Sequence, residues 1–385
     1  MTQHLLVAIS SHGYGHLAQV APIVNASKRL AAQTGKPDFD VTIRTSLPTQ
    51  QVQWRINHPF AIDPGSDDFG MVMLDALTVD LPHSLRRYAE LHRNWNAHVD
   101  RLAKHIDGLK VNALLADAPY LSLAAAQAAG IPAIAICSLN WADILERCVQ
   151  QAPDALKVAG VSQMSLAQIL QQMRDAYARA KFALRPKPAI HTSGFETITI
   201  DPLADTPAVA NRQALLAFVH EKTNDPSVEN DDCAIVLASM GGIELPLQPD
   251  RWPKWCLGRR VIYLVDPALA GRLPHTVAFD LQAMPFQNMM ASCDLVLTKP
   301  GYGMFVESRV CGKPLLYLAR EQWPESQCLI DWASKHSSAM KLTLEQISLG
   351  SFDAELERLL GGPRLEPMRF AGAGQAAEYL LKVLY

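Results

Sequence analysis

Residues 295–326 read LVLTKPGYGMFVESRVCGKPLLYLAREQWPES. Asp294–Thr298 is a short apolar run with the length of a buried strand. Lys299–Gly303 follows with one proline and two glycines, the composition of a tight loop. Met304–Cys311 then reads as a helix stopped by Gly312, and Lys313-Pro314 opens a further strand at Leu315–Leu318. Strand, glycine turn, helix and strand in succession predict parallel pairing with a right-handed crossover. The turn therefore sits at the carboxyl end of a strand, the edge at which open α/β sheets bind ligands. Free amides at a helix start, aided by the helix dipole, form an anion site. Gly301 and Gly303 leave room for a diphosphate to reach those amides. Glu307 falls about one helical turn further on, where a carboxylate can accept both hydroxyls of a ribose; a lone Glu there also reads as a solvated helix carboxylate.

A second stretch of the same design lies near the start. His4–Ser10 is an apolar strand, Ser11-His12-Gly13-Tyr14-Gly15-His16 is the loop after it, and a helical pattern runs from Leu17 to Ala32. His16 stands where the helix begins. A neutral imidazole there can take a proton from an incoming hydroxyl. The competing reading makes Gly13 and Gly15 a tight turn and His16 a polar cap.

The rest of the chain keeps the rhythm. Asp40–Thr45, Val111–Ala116, Pro132–Cys137 and Ile198–Ile200 read as strands of a first half, spanning 1–200. Pro82–Ile106 reads as one long polar-faced helix, Pro119–Ala129 as a helix stopped by Gly130, and 141–185 as mostly helical. Residues 47–81 are rich in Pro, Asp and Gly and predict no defined element. Asp201-Pro202, Thr206-Pro207, Asn224-Asp225-Pro226 and Glu229–Asp232 crowd turn formers and charge into 201–231, which reads as a linker. Cys233–Ala238, Arg260–Val265 and Thr276–Phe279 begin a second half over 232–370. A last helix closes the chain within 371–385 and is expected to pack back on the first half. The expected fold class is α/β, with two Rossmann-like parallel sheets facing across a cleft.

The 385 residues are 49% hydrophobic and 19% charged, with a formal net charge of −3. That length suits two cores rather than one. The charge gives no global attraction to nucleic acid or anionic lipid. No run of about 18 apolar residues occurs, so no membrane span is expected, although peripheral membrane contact stays open. Met1–Ser10 lacks the basic start of a signal peptide. Seven cysteines without a Cys-x-x-Cys read as buried free thiols in a reducing cytoplasm, not as disulfides or a zinc site. No Gly-x-Gly-x-x-Gly with a following acidic residue supports a dinucleotide cofactor.

Taken together, the two loops resemble those of the GT-B glycosyltransferases. HGYGH is similar to the N-terminal Gly-His loop of UDP-glycosyltransferases and of the peptidoglycan N-acetylglucosaminyltransferase, and residues 295–326 resemble the donor signature of that superfamily. Looser likeness extends to ALLADAPYLSLAAAQAAGIPAIAIC, VLASMGG and GAGQAAEYLL, hence over most of the chain.

The resemblance implies roles residue by residue. His16 matches the general base of inverting members. Asp117 matches an acidic residue that orients that histidine in some of them; read locally, it is the N-cap of the helix after Pro119. Ser239, Met240 and Gly241 match a loop near the phosphates, and Met284, Phe286 and Gln287 the segment that reads the base. Lys299, Gly301, Tyr302, Gly303 and Glu307 fall on the donor loop and its ribose ligand. Glu325, after Arg320 and Trp323, matches a contact to the donor sugar, with a surface carboxylate as the other reading. His12, Gly13, Tyr14, Gly15 and Trp141 fall on the acceptor side, Trp141 reading equally as core and His12 as an exposed loop histidine.

This sequence departs from the family where Lys299 replaces a histidine and where Met304 and Phe305 replace helix-start hydroxyls. Phosphate binding would then lean on backbone amides and the point charge of Lys299. The implied activity is inverting transfer from a nucleotide-diphosphate sugar, a UDP-sugar first, without a cofactor or metal. A nucleotide-sugar hydrolase on the same fold, or an inactive relative that only binds the nucleotide sugar, are the alternatives.

Overall fold

Long apolar runs with both faces buried build two parallel sheets. They are seen in a computed structural model that describes residues 2–205, 209–242, 245, 247–267, 269–270 and 275–385. The first sheet holds β1 (Gln3–Ile9), β2 (Phe39–Thr45), β3 (Ala61–Pro64), β4 (Ala113–Asp117), β5 (Ala133–Ile136), β6 (Phe182–Pro186) and β7 (Ile198–Ile200). Their order is β3-β2-β1-β4-β5-β6-β7, all parallel. The second holds β8 (Cys233–Ala238), β9 (Trp255–Cys256), β10 (Arg259–Val265), β11 (Thr276–Ala278), β12 (Leu295–Thr298), β13 (Leu315–Leu318) and β14 (Ala339–Leu342). The order there is β11-β10-β8-β12-β13-β14, parallel throughout, with β9 antiparallel to β10.

Each sheet changes direction beside its first strand, between β1 and β4 and between β8 and β12. Such switch points leave a crevice at the carboxyl ends of the strands. The Ser11–His16 loop leaves β1 and Asp117 ends β4, where Ile9 and Asp117 are register partners. Ser239–Gly242 leaves β8, and Lys299–Gly301 leaves β12 to start a helix.

The helices of the first half are α1 (Gly15–Gln33), α2 (Thr49–Gln53), α3 (Leu81–Arg93), α4 (Trp95–Gly108), α5 (Tyr120–Ala128), α6 (Trp141–Gln151), α7 (Asp154–Ala159) and α8 (Gln163–Ala178). Then come α9 (Arg212–Thr223), α10 (Pro226–Glu229), α11 (Phe286–Ser292), α12 (Tyr302–Val310), α13 (Ser326–His336), α14 (Leu344–Leu349), α15 (Asp353–Leu360) and α16 (Gly372–Leu384). Helix α16 packs on α1 and on β1, β4, β6 and β7, so the end of the chain returns to the first sheet.

Several expectations need correction. The single helix over 82–106 is two, because Asn94 ends α3 and starts α4 at φ −111°; Asn favours such boundaries over helix interiors. The helical stretch over 141–185 ends at Ala178 and gives way to β6, a short apolar run of the kind that periodicity does not separate from helix. Residues 47–81, in which the sequence pattern places no element, carry α2 and β3, and 201–231, expected as a linker, carries α9 and α10. Thr206-Pro207 lies outside the described residues. Among the described residues, no helix is long and apolar enough to cross a membrane.

Candidate active site between the two sheets

The two glycine loops confront one another. The Tyr14 amide donates to the Gly241 carbonyl at 3.4 Å. A Cβ added at Gly303 would lie 2.8 Å from the Cβ of Ala18, so α12 and α1 meet where only glycine fits. Between the sheets lies a cleft of about 500 Å³ with walls from both halves. Helices α1 and α12 both point their N-termini at it, and neither carries a side-chain cap. Uncapped helix starts leave donor amides free, and two of them converging on one cleft make a strong anion site.

His16 and Asp117 form a pair at the first switch point. The Nδ1–H of His16 donates to Asp117 Oδ1 at 3.2 Å, with the residues 4% and 1% exposed. Burial alone lowers the imidazole's proton affinity; the charge and hydrogen bond of Asp117, with Asp68 and Glu325, outweigh it and raise the pKa above the ordinary histidine value. Burial raises the Asp117 carboxyl, against the pull of His16. The contact fixes the tautomer, which leaves Nε2 of the neutral ring as a proton acceptor. The N-cap expectation for Asp117 is overturned: Pro119 occupies the cap of α5, which has no side-chain cap bond.

Also in the cleft wall, Arg55 reaches across from the first half and grips Glu307. Its Nη2 donates to Oε2 at 3.2 Å and its Nη1 to Oε1. Glu307 is thus a buried, paired carboxylate, not a solvated one. Gln50, Gln51, Trp54, Phe286 and Gln287 also line the cleft. Lys299 is buried in the cleft wall; desolvation first, then Arg320, pull its pKa well below the ordinary lysine value, against Glu325.

The inner end is aromatic and charged. His12 stacks on Trp323 at 5.4 Å between ring centroids and meets Trp141 edge-on at 5.2 Å. Burial, then His16, Arg320 and Lys299, hold the His12 pKa well below the ordinary value. The expectation of an exposed loop histidine therefore fails: the ring fits between two tryptophans. Arg320 lies 4.2 Å from the Trp323 ring centre, and burial draws its pKa to about 10. The Trp323 indole N–H donates to Glu325 Oε2 at 3.2 Å, and Glu325 is buried, which overturns the surface reading. Trp141 is fully buried beside both histidines, in the wall behind the cleft.

No family model matches the chain. L-arabinokinase from Arabidopsis thaliana is 23% identical over 401 residues, covering 99% of this chain and 34% of that protein. The chain thus spans about a third of the length of that curated relative. Among solved structures, the spinosyn forosaminyltransferase SpnP superposes with a TM-score of 0.54 at 12% identity, covering 100% of this chain and 94% of that one. The calicheamicin glycosyltransferase CalG4 gives 0.54 at 14%, covering 100% and 94%. Medicago truncatula UGT71G1, complexed with UDP-glucose, gives 0.55 at 12%, covering 99% and 93%. The fold is that of the GT-B glycosyltransferases.

Within this GT-B cleft, the structure gathers most of the residues that the sequence singled out. His12, Gly13, Tyr14, Gly15, His16, Ser239, Met240, Gly241, Phe286, Gln287, Lys299, Gly301, Tyr302, Gly303, Glu307 and Glu325 all line it. Asp117 and Trp141 stand behind the wall, and Met284 is buried in the core, off the cleft surface. The Tyr302 hydroxyl accepts from the Leu203 amide and donates to the Lys187 carbonyl, both at 2.8 Å. Sequence reasoning missed Trp54, Arg55 and Asp68. All three lie in the 47–81 stretch, where no periodic pattern signals them.

Among the described residues, no group of three or more His, Cys, Asp or Glu side chains is arranged to hold a metal ion. Among the described residues, no two cysteines are joined in a disulfide.

Proposed function

We propose that this protein transfers a sugar from a nucleotide-diphosphate sugar, a UDP-sugar first, to an acceptor hydroxyl with inversion and without a metal. The observation that carries the reading is one cleft bounded by two uncapped helix N-termini and by the buried His16–Asp117 pair. His16 Nε2 takes the acceptor proton as the acceptor oxygen bonds to the anomeric carbon. The bond from that carbon to the diphosphate oxygen breaks on the opposite face. The leaving diphosphate gains charge, which the α12 amides and Lys299 stabilise. An anion beside Lys299 favours the charged ammonium that burial disfavours. Asp117 holds the ring in its tautomer and stabilises the imidazolium that forms.

The test is thermal unfolding against UDP-, dTDP- and GDP-sugars, because a ligand of the folded form alone raises stability by mass action. Release of UDP on adding a pool of acceptor alcohols, with a β-linked product from an α-linked donor, completes it. A panel with no stabilising nucleotide sugar removes the reading.

Met304 and Phe305 at the start of α12 favour a second reading, because they offer the diphosphate no hydroxyl beside the backbone amides. On that reading the fold binds a nucleotide sugar without turning it over. Tight nucleotide-sugar binding with neither transfer nor hydrolysis distinguishes it.

A further inference from the structure

Asp68 lies in a stretch with no local signature and is 8% exposed. Its loop is fixed from several sides. Asp67 accepts from Arg44 Nε at 2.9 and 2.8 Å and from the Ser122 hydroxyl at 2.6 Å. The Tyr88 hydroxyl donates to the Gly70 carbonyl at 2.6 Å. Gly70 adopts φ +61°, and a Cβ there would stand 2.7 Å from both His12 and Trp141. The loop is therefore pressed against the histidine loop and held there.

From this position Asp68 Oδ2 accepts the Trp141 indole N–H at 2.5 Å. Ser10, just after β1, donates its amide to the Asp117 carbonyl at 3.2 Å, and its hydroxyl favours the charged form of the Asp68 carboxylate. The other oxygen, Oδ1, is buried without a partner among the described residues. The Trp141 ring held by Asp68 lies 5.8 Å from the His16 ring, centre to centre. A buried carboxylate with no cation bound to it is expensive to keep, and a purely structural partner for an indole N–H could be a neutral amide.

We propose that Asp68 is a positioning residue for His16: it holds the Trp141 wall against that imidazole and joins Asp117 as a second buried carboxylate beside it. This rests on the reading of His16 as the working base. Burial lifts the Asp68 carboxyl to about 6, against the pull of His16, and the Asp68 charge in turn supports the imidazolium. The other groups facing His16 are Asp117 from β4, Glu325 before α13 and His12 on its own loop; Lys299 and Arg320 act on His12.

The test separates charge from contact and needs no substrate. The His16 imidazole is titrated by NMR in the full-length protein, its signal assigned by loss in His16→Gln. Asp68→Asn keeps an acceptor for Trp141 and removes the charge, so the His16 midpoint should fall by about half a pH unit or more. Asp68→Ala should move the midpoint down as well and, in addition, change Trp141 fluorescence. A His16 midpoint in Asp68→Asn equal to the wild type, with the fold intact by circular dichroism, overturns the proposal. Where turnover is measurable, the acid limb of kcat/KM should move to lower pH in step with the NMR midpoint. Failure to find any glycosyl transfer would count against the proposed reaction and leave the titration result standing.

Discussion

Arg55 and Glu307 stand 252 positions apart in sequence and meet inside the cleft as a two-pronged ion pair. The guanidinium comes from the end of α2 in the first half and the carboxylate from α12 in the second. Fork-to-carboxylate geometry is the strong form of such a contact. It joins the two sheets at the place where a ribose is expected.

A nucleotide that uses Glu307 must therefore compete with Arg55. In Arg55→Gln, UDP should bind about three- to tenfold more tightly, the range of a lost competing contact of roughly 1 kcal/mol. 2′-Deoxyuridine diphosphate should gain less. The same change leaves Glu307 buried without its cation and should cost about 2 kcal/mol of stability, less than a fully buried pair because cleft water reaches both groups. Calorimetric titration and denaturant unfolding read the two effects separately. Weaker UDP binding in Arg55→Gln would instead make Arg55 a direct nucleotide ligand.

The contact between α1 and α12 predicts a rescue. Gly303→Ala places a methyl 2.8 Å from the Ala18 Cβ. Overpacking of that size costs about 1–3 kcal/mol. Ala18→Gly removes the obstructing methyl, so the double variant should recover most of the loss. Unfolding free energies of the four proteins give a coupling term, expected near 1 kcal/mol or more. Simple additivity would mean that the two helices do not touch in solution.

Much of this arrangement was legible in the sequence because parallel strands buried on both faces are written as continuous apolar runs, such as Leu5–Ile9 and Cys233–Ala238. The glycine loops followed from their place after those strands. The rest depended on contacts that no local pattern encodes. Asp117 precedes a Pro-led helix and reads as a cap, yet its partner His16 is 101 positions away. His12 looks like a loop residue until Trp323 and Trp141 close around it. Arg55 and Asp68 sit in a Pro-, Asp- and Gly-rich stretch whose shape is set by Arg44, Ser122 and Tyr88 from elsewhere.

Tyr302 separates architecture from ligand contact. Its hydroxyl satisfies the Leu203 amide and the Lys187 carbonyl. Tyr302→Phe removes both bonds and leaves buried backbone groups unpaired, at a cost of about 1–3 kcal/mol. Thermal unfolding should show the loss. KM for the nucleotide sugar should stay within twofold, whereas a direct donor contact would raise it well beyond that.

His16→Ala tests the chemistry and the electrostatics in one protein. Loss of a general base lowers turnover by about 10²–10⁴-fold. Burial of the wild-type imidazole lowers its proton affinity, but Asp117 outweighs it and the pKa is raised above the ordinary value. A base must be unprotonated to act, so wild-type kcat/KM should rise with pH through that raised value and level off above it. Stability runs the opposite way. A group with a raised folded pKa stabilises fully below its unfolded value, near 6.5, and loses that contribution as pH climbs through the folded one. The stability gap between wild type and His16→Ala should therefore be widest near pH 6 and shrink toward pH 9. Denaturant unfolding at several pH values measures it. A gap that stays constant across that range would show that the His16–Asp117 pair is not charged in the folded protein, and the base would then need no raised pH to work.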